Sequence, residues 1–437
     1  MKEQIRIPTS KVQRASKFIK TGAKVGGNYI KHYSKKLLNP ELNRDELDAE
    51  NAEDIYNSLS ELKGSALKVA QMLSMDKNVL PTAYQDKFAL SQYSAPPLSY
   101  PLVVQTFRNY FGKSPEDIFD SFSKKAVNAA SIGQVHQAVL NGKRLAVKIQ
   151  YPGVSDSISS DLKMVRPIAA RMFKVNTSEL EQYIGEVEQK LIEETNYSLE
   201  LERSIDLTSK SAHIAHVAFP KYYPEFSCER VLTMDWIEGV HLKEWLAQNP
   251  SQKEKDKIGQ ALWDFYAFQI HVLKQVHADP HPGNFIITPD NQLGIIDFGC
   301  VKVIPDDFYG QYFKLMESDI LDAEYDLEAL FLELGFLSVQ DTKKEKAFFM
   351  DIFTEMIELL GRPFRSNAFN FGDDTYFQKI FEVGDRVSKM KEIRNSKTAR
   401  GNRHGLYVNR TYFGLYNLLN DIKATVNTGR PVVEALL

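Results

Sequence analysis

The sequence predicts an α+β protein in which a helical extension precedes a small β-rich lobe and a large helical lobe. An apolar period of 3.6 residues runs through AEDIYNSLSELKGSALKVAQMLSM and indicates helices in the N-terminal part. Two β-rich runs, HQAVL and KRLAVKIQ, flank Asn141-Gly142, which is a strong signal for a β-hairpin. After residue 240 the pattern is mainly helical. We expect the two lobes to enclose a cleft.

The chain is long enough for this arrangement. It has 437 residues, of which 43% are hydrophobic, and this suffices for one large or two ordinary domains. Shifts in composition and period predict four segments: a basic amphipathic segment over 1–40, a helical extension over 41–115, a β-rich lobe with a helical insertion over 116–238, and a helical lobe with C-terminal helices over 239–437.

Residues 1–40 are strongly basic. They contain ten Lys or Arg residues and one acid, so their net charge of +9 contrasts with −3 for the whole chain. Apolar residues recur there at helical spacing behind a Thr-Ser cap: Val12, Ala15, Phe18 and Ile19, after Thr9 and Ser10. Such a helix fits an anionic membrane surface, and the alternative is a solvated helix that docks on the protein's own acidic body. Nucleic acid is not expected as a partner, because the other residues are net acidic.

The sequence gives no sign of a membrane span or of secretion. No uninterrupted apolar run approaches the roughly 18 residues that cross a bilayer, and MKEQIRIPTSKVQ lacks the apolar centre of a signal peptide. Cys228 and Cys300 have no CxxC or His-rich companion, so neither a disulfide framework nor a structural zinc site is expected. We expect a cytoplasmic protein, with peripheral contact at the inner face of the membrane as an option.

A turn of small residues precedes a lysine-bearing strand. Ala129, Ala130, Ser131 and Gly133 would let backbone N–H groups approach a polyphosphate, and Lys148 on the following strand would add a point charge. The alternative is an ordinary β-turn followed by a lysine on an edge strand.

The segment KLIEETNYSLELERS predicts an acidic helix. A lysine held in a cleft needs a carboxylate partner, because an unpaired buried charge is costly. The candidates are Glu193, Glu194, Glu200 and Glu202. A charge-rich helix is also typical of a solvated surface, and the residues alone do not select one glutamate.

The segment HADPHPGNFIITPDNQLGIIDFGC carries the most specific pattern. Asp279 and Asn284 stand five positions apart in a loop, and Asp297 follows a buried run and precedes Phe298-Gly299. Few carboxylates, supplemented by phosphate oxygens and water, are the ligand set that Mg²⁺ prefers. The DxxxxN and DFG spacing therefore predicts a magnesium site, and FIIT and LGII predict a short hairpin between its parts.

A zinc site is the rival interpretation of the same segment. It would use His277, Asp279 and His281 as ligands. Pro280 and Pro282 flank His281 and prevent the regular helix that would align the three, and zinc would leave Asn284 and Asp297 without a role.

The run VLTMDWIEGV predicts a strand that leaves the core as a hinge. Backbone groups at Met234, Asp235 and Ile237 would meet an adenine edge, with Met234 lining the pocket. A core strand that simply leads to a turn explains the run equally well. Taken together, however, the order of small-residue loop, lysine, acidic helix, hinge, DxxxxN and DFG is the order found in protein kinases.

These motifs resemble the UbiB/ADCK family of atypical protein-kinase-like proteins, which is linked to coenzyme Q biosynthesis. The resemblance is carried by IPTSKVQRASKF, LKGSALKVAQMLS, NAASIGQVH, AVKIQYPGV, HADPHPGNF and IIDFG. It implies a two-lobed protein-kinase-like fold to which an N-terminal helical extension, named for its KxGQ motif, has been added.

The resemblance also implies roles for individual residues. Lys148 would contact the nucleotide phosphates and pair with Glu200. Asp297 would hold Mg²⁺ with Asn284 as the second ligand, and Asp279 would take the place of the catalytic aspartate.

Regulation of the cleft is implied in the same way. In the family an alanine-rich loop, here Ala129 and Ala130, disfavours protein phosphorylation. The KxGQ helix, here with Lys68 and Gln71, folds over the cleft, and its lysine meets the glutamate of an ExD motif, here Glu194.

The chain departs from the family pattern at three positions. Ala70 replaces the glycine of KxGQ, Asn196 replaces the aspartate of ExD, and the alanine loop begins with Asn128. Asn196 removes one negative charge from the site that would hold the KxGQ helix or a metal, which puts the regulation of the cleft in doubt.

We therefore expect an ATP-binding, Mg²⁺-dependent, kinase-like ATPase that acts at a membrane surface in isoprenoid-quinone or related lipid metabolism. Two alternatives stay open: a protein or small-molecule kinase, and a lipid-binding scaffold that uses nucleotide as a switch. The expected partners are ATP, an anionic membrane or isoprenoid lipid, and proteins of quinone biosynthesis. A homodimer is left open.

Overall fold

The computed structural model describes residues 11–38, 45–62, 97–129, 132–172, 177–322, 325–390 and 400–429. The chain divides into two compact units. The first consists of Met1–Glu202 and Lys221–Trp236, and the second of Arg203–Pro220 and Ile237–Leu437.

Runs of helices and runs of strands follow one another along the chain, as expected of an α+β protein. The helices are α1 (Lys11–Leu38), α2 (Asp45–Leu62), α3 (Tyr100–Phe111), α4 (Pro115–Ile118), α5 (Val154–Met172), α6 (Thr177–Glu194), α7 (Tyr197–Ser211), α8 (Leu242–Ala247), α9 (Gln252–Ala267), α10 (Asp306–Tyr312), α11 (Leu327–Glu333), α12 (Lys343–Leu360), α13 (Asp374–Lys389) and α14 (Arg403–Ile422). The strands are β1 (Ser121–Phe122), β2 (Asn128–Ala129), β3 (Gly133–Leu140), β4 (Lys143–Gln150), β5 (Val217–Ala218), β6 (Val231–Asp235), β7 (Val240–His241), β8 (Gln275–His277), β9 (Phe285–Ile287), β10 (Leu293–Ile295), β11 (Val301–Val303), β12 (Ala368–Asn370) and β13 (Thr425–Asn427).

The first unit contains an antiparallel sheet with strand order β1-β3-β4-β6, in which β2 also pairs with β3. Asn141 and Gly142 join β3 to β4 with positive φ angles of 50° and 75°, which confirms the predicted hairpin. Val103 and Phe107 of α3 pack with Val147 and Ile149 of β4 in a buried cluster. These contacts hold the middle of β4, on either side of Lys148, against α3.

Helices α1 and α2 pack together in the first unit. Asn28 Nδ2 donates to Asn51 Oδ1 at 3.0 Å, and Lys24 Nζ donates to Asp54 Oδ1 at 2.6 Å. Within the described residues, no helix is both long and apolar enough to cross a membrane.

The apolar residues predicted to form one face of the N-terminal helix lie on two different sides of α1. Phe18 is buried, whereas Val12 and Ile19 are 80% and 72% exposed. Phe18 follows the buried Arg14 by four residues and shares its side of the helix, about 120° away from Val12. One side of α1 therefore serves the protein core, and the predicted cap at Thr9 and Ser10 lies outside the described residues.

The second unit contains a four-stranded sheet and a two-stranded one near its polar motifs. The larger sheet has the order β5-β10-β9-β7, and β8 pairs with β11. Strands β9 and β10 form the predicted FIIT and LGII hairpin, in which Leu293 pairs with Ile287. Helix α14 packs against α9 and also approaches β8, with Leu415 and Leu419 buried. This packing fixes the position of the β8 strand end, where the loop with Asp279 begins.

Candidate functional site

Lys148 forms an ion pair with Glu200 in the first unit. The Nζ of Lys148 lies 2.7 Å from Glu200 Oε1, and the two side chains are 18% and 3% exposed. Lys148 pairs with Val135 of β3 on one side and with Leu232 of β6 on the other. The lysine is therefore on a central strand, and the alternative of an edge-strand lysine is wrong.

Of the candidate glutamates, Glu200 forms this ion pair. It lies in the first turn of α7 and is buried, whereas Glu193 and Glu202 are exposed. Tyr197, one turn earlier, is fully buried, and its ring centre lies 5.0 Å from Lys148 Nζ. Tyr197 was not foreseen from the sequence, because nothing local distinguishes a tyrosine under a cation from any other core tyrosine.

Two residues of the predicted small-residue turn, Ala129 and Gly133, lie in strands of the same sheet as Lys148. Ala129 pairs with Gln134, and Gly133 pairs with Gln150. A Cβ at Gly133 would come within 2.7 Å of both the Ile149 carbonyl oxygen and the Tyr197 hydroxyl. Glycine is thus required there by close packing. Ala130 and Ser131 lie outside the described residues.

Several polar groups of the predicted hinge already form hydrogen bonds within the first unit. Met234 is buried and pairs with Ala146. The carboxylate of Asp235 accepts hydrogen bonds from Tyr223 Oη at 2.7 Å and from Lys143 Nζ at 2.9 Å. The N–H groups of Asp235 and Trp236 donate to the carbonyl oxygens of Lys221 and Arg144, respectively. Ile237 belongs to the second unit, where it packs against Gly294.

Two of the predicted regulatory residues, Lys68 and Gln71, lie outside the described residues, as does Ala70. Glu194 ends α6 and is half-buried. Asn196 follows it, and its Oδ1 accepts a hydrogen bond from the N–H of Leu199 at 3.1 Å. Asn196 therefore caps the N-terminus of α7, a task that asparagine and aspartate perform about equally well.

In the second unit, two backbone hydrogen bonds bring the DxxxxN loop and the DFG segment together. The N–H of Ala278 donates to the carbonyl oxygen of Cys300 at 2.8 Å, and the N–H of Ile296 donates to that of Asn284 at 3.2 Å. These bonds join the two segments at both ends. We call these two joined segments, which carry Asp279, Asn284 and Asp297, the polar cluster.

The donor set of this cluster suits a magnesium ion. Asn284 Nδ2 donates to the carbonyl oxygen of Asp279 at 3.0 Å, which orients the amide so that Oδ1 is its opposite end. Asp297 Oδ1 accepts a hydrogen bond from the N–H of Gly299 at 2.8 Å, which fixes its carboxylate. One carboxylate and one amide oxygen, held by short backbone contacts, match the preference of Mg²⁺ for few protein oxygens.

His277, at the start of the Asp279 loop, is anchored in the core of the second unit. It is fully buried, its backbone N–H donates to Gln269 Oε1 at 2.8 Å, and its ring packs edge-on against Phe298. The Tyr266 hydroxyl lies 3.4 Å from His277 Nδ1, and burial, followed by the charge of Asp279, raises the pKa of Tyr266 well above its usual range. Across the part of the chain that the structure describes, no three His, Cys, Asp or Glu side chains are placed to hold one metal, so the zinc interpretation gains no support.

A residue of α14 also reaches the cluster. Arg410 Nη2 lies 3.9 Å from Asp279 Oδ1, and the two side chains are 31% and 39% exposed. Sequence reasoning missed Arg410 because it lies far along the chain from Asp279 and in no recognised motif.

Comparison with protein families gives a match that spans the site residues described above. A family model described as the ABC1 atypical kinase-like domain matches residues 90–327, which is more than half of the chain. The matched region includes the Lys148–Glu200 pair and the cluster of Asp279, Asn284 and Asp297.

Several curated proteins are similar over longer stretches. The "Probable serine/threonine-protein kinase abkA" of Dictyostelium discoideum is 25% identical over 448 residues, which cover 97% of this chain and 78% of that protein. The mitochondrial atypical kinase COQ8 of Saccharomyces cerevisiae is 27% identical over 384 residues, which cover 86% of this chain and 75% of that protein. A chloroplastic aarF domain-containing protein kinase of Arabidopsis thaliana is 32% identical over 293 residues, but these cover 64% of this chain and 40% of the longer plant protein.

A solved structure is similar across nearly the whole chain. It is that of Rv3197 from Mycobacterium tuberculosis in complex with erythromycin, with a TM-score of 0.58 and 25% identity. The match covers 90% of this chain and 97% of that chain.

Proposed function

Because this chain belongs to the ABC1 atypical kinase-like family, we propose that it binds Mg-ATP and hydrolyses it in support of lipid metabolism at a membrane surface. The family resemblance and the kinase-like α+β fold predicted from the motifs are both confirmed. The nucleotide, the metal, the reaction and the membrane belong to the proposal.

The Lys148–Glu200 ion pair is the observation that carries nucleotide binding. A buried glutamate at 2.7 Å holds the ammonium group of a lysine that is still 18% exposed. Kinases require this kind of lysine–glutamate pair to aim a positive charge at the phosphates of ATP. The close packing at Gly133 supports the same assignment, because it brings β3, β4 and Tyr197 together beside the lysine.

Asn284 and Asp297 would hold the magnesium ion. When bound, Mg²⁺ would neutralise charge on the phosphate oxygens of ATP. For adenine, the N–H groups of Asp235 and Trp236 already serve the sheet. We assign the carbonyl oxygen of Asp235 to the base as the hinge group that the first unit supplies.

Asp279 would orient the attacking water molecule and accept its proton. The water oxygen forms a bond to the γ-phosphorus while the bond from that phosphorus to the β,γ-bridging oxygen breaks. ADP leaves with the electron pair of the broken bond, and inorganic phosphate is the second product. The proton taken by Asp279 then returns to solvent.

Transfer to a protein or small-molecule acceptor is the second candidate. The Dictyostelium relative is named a probable serine/threonine-protein kinase, and this favours transfer to an acceptor. The alanine-rich loop at Ala129 favours hydrolysis instead, because the family resemblance links that loop to weak protein phosphorylation.

The exposed side of α1 supports contact with a membrane. Val12, Ile19 and Ile30 are 80%, 72% and 71% exposed and lie along one line of the helix. Lys20 and Lys31 are exposed about 100° around the helix from that line. Apolar residues beside lysines suit an anionic lipid surface. The mitochondrial COQ8 relative supports placing this contact in isoprenoid-quinone metabolism.

Nucleotide binding is tested by thermal shift with Mg-ATP. The wild-type protein should gain stability by about 2.7 kcal/mol when the ligand is present at 100 times its Kd. Asp297→Ala should lose this gain, whereas Asp290→Ala, an exposed carboxylate in the turn between β9 and β10, should keep it. An unchanged gain in Asp297→Ala would refute the metal assignment. Release of free phosphate supports the ATPase, and transfer of label from ATP to a defined acceptor in a cell extract supports the kinase.

Membrane contact is tested by flotation with liposomes of phosphatidylcholine, with and without phosphatidylglycerol. The wild-type protein should float with the anionic vesicles, and the double variant Ile19→Glu/Ile30→Glu should not. Val339→Glu, which places one such charge at a 90% exposed valine in the second unit, is the control for a general effect of an added carboxylate. Equal flotation of all three proteins would contradict the assignment of α1.

A further inference from the structure

Helix α14 packs directly on the loop that carries Asp279. A Cβ at Gly414 would lie within 2.9 Å of Pro280 Cβ and closer still to its Cγ, so only glycine allows this approach. Arg410 lies one helical turn before Gly414 and therefore on the same side of the helix. Its guanidinium group reaches to 3.9 Å from the carboxylate of Asp279.

A second contact extends this interface along α14. Tyr407, three residues before Arg410, presents its ring to Lys302 Nζ at 4.8 Å. Lys302 lies in β11, directly after the DFG segment, and β11 pairs with β8. Thus Tyr407, Arg410 and Gly414 form one face of α14 that touches both segments of the polar cluster.

The Asp279 loop has no lysine or arginine of its own. The sequence HADPHPGN, residues 277–284, contains neither lysine nor arginine. A carboxylate that directs a water molecule at a phosphoryl group faces negative charge on that group, and phosphoryl transfer depends on positioning and on stabilising this charge. A guanidinium group near the carboxylate reduces the repulsion between the two anions.

We propose that Arg410 is a positioning residue for Asp279, which it holds toward the attacking water while it offsets the carboxylate's repulsion of the γ-phosphoryl group. The proposal rests on the function proposed above and adds to it a part of the reaction machinery supplied by α14. Bonds form and break as already described, and Arg410 exchanges no proton.

A purely structural role for the Arg410–Asp279 contact is disfavoured by its geometry. The two groups are too far apart for a hydrogen bond, and both are about one-third exposed. Exposed ion pairs of this kind contribute about 0–1 kcal/mol to stability. Replacement of Arg410 should therefore change catalysis much more than folding.

The test is steady-state Mg-ATPase kinetics on the full chain with Arg410→Gln, Arg410→Lys and Lys423→Gln. The last variant removes a cation from the C-terminal end of the same helix, where Lys423 pairs with the exposed Asp374. For Arg410→Gln we expect kcat to fall about 10- to 100-fold, since misplacement of a reacting group by 1 Å has effects of this size. The KM for Mg-ATP and the Tm should stay close to those of the wild type. Arg410→Lys should recover most of kcat, and Lys423→Gln should match the wild type.

The outcomes separate this proposal from the proposed function. If the wild-type protein hydrolyses ATP and Arg410→Gln retains its kcat within about twofold, the role of Arg410 is refuted and the ATPase stands. If Arg410→Gln instead loses its nucleotide-dependent rise in Tm, or if Arg410→Lys is no better than Arg410→Gln, the positioning role is also refuted. A wild-type protein with neither nucleotide binding nor hydrolysis would overturn both proposals.

Discussion

Arg14 of α1 and Asp161 of α5 form a buried ion pair within the first unit. Arg14 Nε donates to Asp161 Oδ1 at 2.7 Å, and Arg14 Nη2 pairs with Oδ2. The side chains are 2% and 0% exposed. Arg14 Nη1 also donates to the carbonyl oxygen of Leu62 at 2.8 Å, and Ser157 Oγ donates to Asp161 Oδ2 at 3.1 Å. One arginine thus joins α1 to the end of α2 and to α5.

Removal of the negative partner should destabilise the first unit strongly. Asp161→Asn removes the carboxylate that pairs with the buried Arg14 guanidinium, and breaking a buried pair in this way costs about 3–5 kcal/mol. Denaturant unfolding should show the loss as a lower midpoint. Asp206→Asn, which breaks an exposed pair with Lys210, should change the free energy of unfolding by about 0.5 kcal/mol or less. Equal effects of the two variants would contradict the anchoring role of Arg14.

The Arg14 pair also shows why the face of α1 was assigned wrongly from the sequence. Amphipathic patterns place arginine outside, whereas here Asp161, 147 residues away, brings it into the core together with Phe18. By contrast, the Asn141-Gly142 hairpin was predictable, because the turn itself requires positive φ angles. Local chemistry determines the hairpin, while tertiary pairing determines the helix face.

The same distinction applies to the candidate site. The DxxxxN and DFG spacing was readable because Asn284 and Ile296 meet across a short hairpin. The choice of Glu200 among four glutamates came from a family resemblance, since the residues alone do not show which side of α7 is buried. Arg410 carried no signal in the sequence, because its partner Asp279 lies on a different element far along the chain.

Glu200→Gln should impair nucleotide binding and turnover. The variant keeps the shape of the side chain but removes the charge that holds Lys148 Nζ at 2.7 Å, so the ammonium group is no longer aimed. We expect kcat/KM for Mg-ATP to fall by about 100-fold or more. Glu202→Gln, two residues further along the same helix and exposed, is the matched control and should behave as the wild type. Wild-type kinetics in Glu200→Gln would remove the main support for the proposed function.

His271 should make the stability of the second unit depend on pH. Its Nδ1 lies 2.8 Å from the Tyr309 hydroxyl and its Nε2 lies 3.2 Å from the Tyr412 hydroxyl. Burial, and to a lesser degree the charge of Lys274, lowers the pKa of His271 from 6.5 to about 4. Between these two pKa values the unfolded chain binds a proton at this histidine and the folded protein does not. The histidine therefore costs no stability above pH 6.5, and the free energy of unfolding decreases as the pH falls from 6.5 toward 4.

Unfolding of the wild type and of His271→Gln at pH 7, 6 and 5 measures this contribution. The histidine contributes a slope of at most about 1.4 kcal/mol per pH unit. Because glutamine does not titrate, the variant should lose less stability than the wild type between pH 7 and pH 5. The same pH dependence in both proteins would show that His271 is not the group responsible.

Two alanine substitutions should have opposite effects on the first unit. At Gly133 a new methyl group would meet the Ile149 carbonyl oxygen and the Tyr197 hydroxyl, both at 2.7 Å. Displacement of Tyr197 also disturbs the ring on which Lys148 Nζ rests. We expect Gly133→Ala to destabilise the protein by about 1–3 kcal/mol and to weaken Mg-ATP binding.

At Gly185 of α6 a methyl group would have no neighbour within 4 Å, so Gly185→Ala should stabilise the helix by about 0.5–1 kcal/mol and leave binding unchanged. Thermal unfolding with and without nucleotide measures both effects, and a neutral Gly133→Ala would show that β3 can move away from Tyr197 without loss.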